Sequence, residues 1–247
     1  MKTLLLSSLI IFSLAFMTDS FKSQQQKFPR VKTAYEEKEK LIKELFSSKG
    51  IELSSANIFI CAFKEEAQLE LWAKSAKQEK YQLIKTYKIC SSSGELGPKR
   101  KQGDGQVPEG FYEIDRFNPS SNFYLSLGVS YPNASDKILG SKGNLGGDIF
   151  IHGNCVTIGC MPLTDDKIKE VYLIAVEAKS NGQTKIPVHI FPFRMNDENM
   201  KSYEKKYSDA AGIVSFWKNI QKGYEHFQEN KTIPSVSVLN NGEYLVK

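Results

Sequence analysis

Apolar and polar positions alternate most clearly in the first half of the chain. In "NIFICAFK", Ile58, Ile60 and Ala62 point one way and Phe59, Cys61 and Phe63 the other, the period of a strand. "KEEAQ" turns the chain, and "LELWAK" and "YQLIKTYKIC" continue the alternation. "GFYEID", "FYLSLGVSYP" and "GGDIFIHG" predict further strands, the last with Ile149 and Ile151 on one face and Phe150 and His152 on the other. "TKIPVHIFPF" predicts a strand whose prolines assign it to a sheet edge.

Helical periodicity appears in three places. "VKTAYEEKEKLIKELFSSKG" carries a stripe of Leu41, Ile42, Leu45 and Phe46 and stops at Gly50. "TDDKIKEVYLIAVEAKSNG" has Thr164 as N-cap, two aspartates in its first turn, and Ile168, Val171, Ala175 and Ala178 as the buried stripe. "AGIVSFWKNIQKGYEHFQEN" places Ile213, Trp217, Ile220, Tyr224 and Phe227 on one side. Residues 22–30 read as a polar linker. "SSSGELGPKRKQGDGQVPEG" reads as a long irregular loop, either a solvated surface or a functional segment presenting Lys99, Arg100 or Lys101 to a carboxylate. The fold class is therefore α+β, mainly β, on a largely antiparallel sheet with flanking N- and C-terminal helices.

The N-terminus changes the picture. Lys2 precedes an apolar run from Leu4 to Phe16, followed by polar "MTDSFKSQQQK". This is a secretory signal pattern, and the run is short for a membrane span. The expected layout is a signal peptide over 1–20, a linker and helix over 21–50, a catalytic domain over 51–230 and a C-terminal tail over 231–247. The mature protein is expected outside the cytoplasm, in the periplasm, with no integral span once the signal is cleaved. The net charge of +5 comes with no arginine-rich stripe, which argues against nucleic acid and suits a carboxylate-rich partner.

Chemistry concentrates in "FIHGNCVTIGC", which holds one of three histidines and two of four cysteines. Three readings are open. His152, Cys155 and Cys160 can be metal ligands, with His189 or Cys90 as a fourth. Cys155 and Cys160 can close a small disulfide loop; elsewhere Cys61 can pair with Cys90. Or Cys160 is a thiol nucleophile with His152 as its base, across a tight turn. Gly159 leaves the backbone before Cys160 bare, and main-chain N–H groups there can hold an oxyanion. His189 reads as a structural side chain on a strand, and His226 as a solvated one on a helix.

This stretch resembles the active-site signature of the L,D-transpeptidase (YkuD-domain) family. A His-Gly pair, His152-Gly153, precedes a [ST]-x-G-C segment, Thr157-Ile158-Gly159-Cys160. "YKICSSSGELGPKRKQGDGQVPEGFYEI", "NPSSNFYLSLGVSYPNASD", "GCMPLTDD" and "VHIFPFRM" resemble the YafK-like murein branch, so the resemblance covers roughly Ile51 to Phe227. It implies acyl transfer on peptidoglycan stem peptides through a thioacyl-enzyme, in cell-wall crosslinking or remodelling, with no cofactor and no metal. It implies Cys160 as nucleophile, His152 as base and later acid, and backbone at Gly159 and Gly153 around the oxyanion. Tyr131, Lys99, Arg100 and Thr157 are the implied substrate contacts. The acceptor is an amine, a wall-linked protein or water. Hydrolytic amidase or carboxypeptidase action is therefore the alternative, and a non-catalytic peptidoglycan-binding module the rival. Two departures stand out: Ile158 replaces a second histidine found before the Gly-Cys in many members, and Met161-Pro162 follow the cysteine.

Overall fold

Strands β1 (Ala56–Phe63) and β2 (Gln68–Ser75) pair antiparallel, and β2 pairs with β3 (Gln82–Lys88), in a computed structural model that describes residues 19–247. The alternation in β1 has the consequence expected of it. Ile58, Ile60 and Ala62 enter one apolar core, while Phe59, Cys61 and Phe63 enter a second core on the opposite face. Both faces of the strand are dry, so all six side chains are buried.

The sheet continues through β8 (Pro187–Phe191), β4 (Gly110–Asn118), β5 (Ser126–Val129), β6 (Phe150–His152) and β7 (Met161–Pro162), in the order β3-β2-β1-β8-β4-β5-β6-β7. Pairing is antiparallel except at β1·β8 and β6·β7, which are parallel. The edge position expected of the "TKIPVHIFPF" strand is corrected. β8 lies in the middle of the sheet, between β1 and β4. Pro187 opens the strand and Pro192 follows its last residue, so neither proline removes a hydrogen bond from the interior of the ladder.

Helix α4 (Asp165–Ser180) starts as its sequence predicts, with the Thr164 side chain accepting from the Lys167 N–H. It is buried nearly all round, between the sheet and α2 (Pro29–Ser47). The α2 stripe needs one correction. Val31, Ala34, Tyr35, Ile42 and Phe46 are buried, but Leu41 is 44% exposed, because it sits about 100° round the helix from Ile42. The linker expected over 22–30 is also corrected. It holds helix α1 (Phe21–Gln25), capped by Ser20, with Gln25 buried against the Tyr172 hydroxyl at 2.6 Å and the Phe21 ring 4.9 Å from Phe117. The signal-peptide expectation lies almost wholly outside the described residues.

Two helices were not expected: α3 (Ala134–Leu139), capped by Asn133, and α5 (Asp197–Lys206), capped by Asn196. Helix α6 (Ala211–Asn230) covers the second core, setting Phe227 4.7 Å from Phe59 and Trp217 5.2 Å from Phe193. Residues 231–247 close into a hairpin of β9 (Val236–Val238) and β10 (Tyr244–Val246). Buried Tyr244 there exchanges backbone hydrogen bonds with the Asn219 side chain. No helix among the described residues is long and apolar enough to cross a membrane.

Candidate active site

The short strand β6 ends at His152 and is held on both sides: Ser126 of β5 faces His152, and Pro162 of β7 lies beside it in parallel register. Extending that register by one residue sets Cys160 beside Phe150. Phe150 and His152 share a face, so the imidazole on β6 and the thiol of the residue just before β7 are offset by one pleat. Strand spacing and rise place their Cα atoms about 8 Å apart. The Phe150 N–H points at Cys160 Sγ at 3.4 Å, and the thiol is 3.5 Å from the Asp148 carbonyl.

His152 is 1% exposed. The Phe123 ring lies 4.6 Å from the imidazole, tilted by 33°. Nδ1 sits 2.5 Å from the Gly153 carbonyl oxygen. A carbonyl only accepts, so Nδ1 carries the proton and Nε2 is left with its lone pair. Burial lowers the imidazole pKa below its ordinary value, against a smaller upward pull from that hydrogen bond. Burial raises the Cys160 thiol, opposed by the Phe150 N–H and by the Lys99 ammonium. Both groups are therefore neutral at pH 7. Such a pair moves its proton when the thiol attacks, rather than resting as thiolate and imidazolium.

The turn between them is pinned at several points. Cys155 is bonded to Cys90, with Cα atoms 5.6 Å apart. This overturns the expected Cys61–Cys90 and Cys155–Cys160 pairings. It also removes two of the sulfurs a zinc site would use. Cys61 and Cys160 are the free cysteines. Asn154 N–H donates to Asp165 at the start of α4, and Cys90 N–H to the Pro162 carbonyl.

The expected oxyanion donors are engaged. Cys160 N–H donates to Thr157 Oγ1 at 2.8 Å, and the same hydroxyl donates to the Cys160 carbonyl at 2.9 Å. Gly159 adopts φ +93° and donates its N–H to Ser93 Oγ at 2.7 Å. Gly153 N–H bonds the Leu125 carbonyl, and a Cβ there would lie 2.5 Å from Asp165 and 2.9 Å from the Phe123 carbonyl. Ser93 was not singled out by the sequence reading; the run of three serines in "SSSG" was its available signal.

Of the other expected contacts, Lys99 reaches the thiol only through its charge, and Arg100 and Tyr131 turn to other partners. Lys99 is buried and donates to Asp104 and to the Lys101 carbonyl. Arg100 pairs with buried Asp136 at 3.2 Å and lines a groove beside Phe216. Tyr131 is buried, its hydroxyl near the Lys99 and Leu145 carbonyls. Together these residues brace the 90–110 loop. His189 lies in the second core between Phe59 and Phe111, where burial pulls its pKa down to about 3. His226 reaches Thr232.

A cavity of about 260 Å³ opens onto Cys160 and Met161, walled by Ala62, Ile89 and Val107 and by the serines of "SSSG". His152 is not part of its lining.

Residues 58–190 match the family model for the L,D-transpeptidase catalytic domain, YkuD. The chain is 41% identical over 197 residues to the Escherichia coli K12 protein named "Putative L,D-transpeptidase YafK", covering 79% of this chain and 76% of that one. Among solved structures it is similar to the helical cell shape determining protein Pgp2 of Campylobacter jejuni, at 18% identity and a TM-score of 0.45, covering 75% and 74% of the two chains. Bd1075 of Bdellovibrio bacteriovorus matches at 19% identity and a TM-score of 0.41, covering 74% and 78%.

Proposed function

The chain belongs to the YkuD family of L,D-transpeptidase catalytic domains, and on that premise we propose that Cys160 transfers acyl groups of peptidoglycan stem peptides, with His152 as its base. The observation that carries this reading is the prepared base. His152 is buried and has its Nδ1 proton committed to Gly153, on the strand next to a free thiol that opens into a cavity. The Cys160 proton passes to His152 Nε2 as sulfur bonds to the amide carbon of the stem. The C–N bond then breaks, and the departing amine takes that proton from Nε2. An amine or water next gives its proton to Nε2 and attacks the thioester, and the thiol is restored.

The oxyanion takes the place of Ser93 Oγ on the Gly159 N–H and of Thr157 Oγ1 on the Cys160 N–H. Each exchange replaces one hydrogen bond by a charge-assisted one. The reaction serves cell-wall crosslinking or remodelling outside the cytoplasm. The Cys90–Cys155 disulfide suits an oxidising compartment. The acceptor is an amine, including one on a wall-linked protein, or water in hydrolytic turnover.

The test is mass spectrometry of muropeptide products after incubation with tetrapeptide stems. The parent protein should yield crosslinked, exchanged or hydrolysed products, and Cys160→Ala and His152→Ala none. Wall binding without turnover by the parent would instead identify a binding module.

A further inference from the structure

The ring that covers His152 sits on a loop tied down by a residue from outside the family domain. The Phe123 and His152 rings lie 4.6 Å apart, tilted by 33°. Phe123 is 39% exposed and His152 only 1%, so the phenyl ring stands between the imidazole and solvent. Its loop, 119–125, runs straight into β5, whose first residue, Ser126, faces His152. Gly153 lets the loop come this close. Its N–H donates to the Leu125 carbonyl at 3.2 Å, and a Cβ there would lie 2.9 Å from the Phe123 carbonyl.

The loop does not keep this shape by local preference. Tyr124 adopts φ +70°, a left-handed conformation that costs a bulky residue free energy unless its surroundings hold it. Three sets of contacts do so. The Phe123 N–H donates to Ser121 Oγ at 3.0 Å. Arg30, in the first turn of α2, donates through Nη1 to the Ser121 carbonyl at 2.5 Å and to the Tyr124 carbonyl at 2.7 Å. The Tyr124 ring lies under both Arg30 and Lys169, each 5.6 Å from its centroid. Among the described residues Arg30 forms no salt bridge, so its charge strengthens the two bonds to the loop. The family match begins at residue 58, so this latch comes from the N-terminal region.

We propose that Phe123 is a positioning residue for the base, holding the imidazole in place and keeping bulk water from it, and that Arg30 sets Phe123 by latching its loop. The role rests on the acyl-transfer reading of Cys160; the cover over His152 does not. The elements packed on the imidazole bring few charges. Tyr124 is the one titratable side chain of residues 119–125. Ser126 of β5 and Pro162 of β7 are neutral. Asp165 of α4 is held on the Asn154 N–H, and the remaining group is the Cys160 thiol. Uncovering the ring therefore acts on His152 chiefly through water, which favours its charged form.

The experiment compares the parent with Phe123→Ala, Phe123→Leu, Arg30→Ala and Arg30→Lys, after thermal unfolding has shown that each is folded. Histidines are carbethoxylated with diethyl pyrocarbonate and mapped by peptide mass. Half-buried His226 serves as the reactive control and buried His189 as the protected one. In the parent His152 should label with His189; in Phe123→Ala and Arg30→Ala it should label with His226. Acylation of Cys160 by a tetrapeptide stem should slow about tenfold in Phe123→Ala with KM unchanged, part of the hundredfold or more that a general base contributes. The acid limb of kcat/KM should move up, toward about 6.5. Arg30→Ala should shift rate and limb in the same directions. Phe123→Leu keeps an apolar cover and Arg30→Lys a charged donor, so each should fall between its alanine variant and the parent. A raised KM in Phe123→Ala, with acylation rate, pH limb and His152 labelling unchanged, would make the ring a substrate contact and overturn the proposal. Labelling of His152 in the parent as fast as His226 would overturn it too, and unchanged labelling in Arg30→Ala would overturn the latch. Failure of the parent to acylate, with His152 protected as expected, would instead overturn the reading of Cys160 and leave the cover standing.

Discussion

Reducing or removing the Cys90–Cys155 bond should both destabilise the protein and loosen the turn that carries the nucleophile. The two cysteines are 65 positions apart. Closing a loop of that length removes about 14 cal/mol/K of unfolded-chain entropy, or about 4 kcal/mol at 25 °C. Over roughly 230 ordered residues, unfolding carries about 480 cal/mol/K near the midpoint, so the loss corresponds to a fall in Tm of about 9 °C. The variant is the double Cys90→Ser/Cys155→Ser, which keeps size and avoids a stray thiol. The assay is thermal unfolding by circular dichroism, with the parent measured in the presence and absence of reductant. The double variant should melt about 9 °C low and be indifferent to reductant, and the reduced parent should approach it. Activity should fall too, because Cys155 lies five residues before Cys160 and the bond ties that turn to the "SSSG" segment holding Gly159. A Tm within 2 °C of the parent, or alkylation of Cys155 in the unreduced native protein, would refute this reasoning.

The pH profile of kcat/KM should show its acid limb below about 6.5, the ordinary imidazole value, because burial lowers His152 and the base must be neutral; a midpoint above that value would contradict the assignment. The alkaline side should stay flat beyond about pH 8.5, the ordinary thiol value, since burial raises Cys160. Glu109 is wholly buried and accepts from Lys64 Nζ, the Gly97 N–H and Trp217 Nε1. Glu109→Ala leaves a buried ammonium unpaired and should cost about 3–5 kcal/mol in urea unfolding, whereas a loss under about 1 kcal/mol would show the cluster is not structural. Ser93→Ala frees the Gly159 N–H and should keep kcat within about threefold of the parent. A loss near a hundredfold would mean that the hydroxyl itself stabilises the oxyanion.

Much of this was legible because it is local. The strand ending at His152, the cap at Thr164 and the two faces of β1 follow from spacing of 2 and 3.6 and from one capping side chain. What was not legible depends on partners distant in sequence. Cys90 finds Cys155 only because β3 and the 153–160 turn converge. Lys99 and Arg100 look like free cations in "GPKRKQ", but Asp104 and Asp136 take them. The prolines of β8 suggested an edge because the pattern shows where they are, not that both flank the ladder. Helix α5, "DENMKSYEKK", buries only Met200, so it carried almost no apolar period to detect.

The most direct test is intact-mass and peptide-mapping analysis of the protein quenched during turnover with a tetrapeptide stem. The account predicts a thioester adduct on the peptide containing Cys160, absent in Cys160→Ala and not formed at Cys61. Undiminished product formation by Cys160→Ala, or an adduct on another residue, would contradict it.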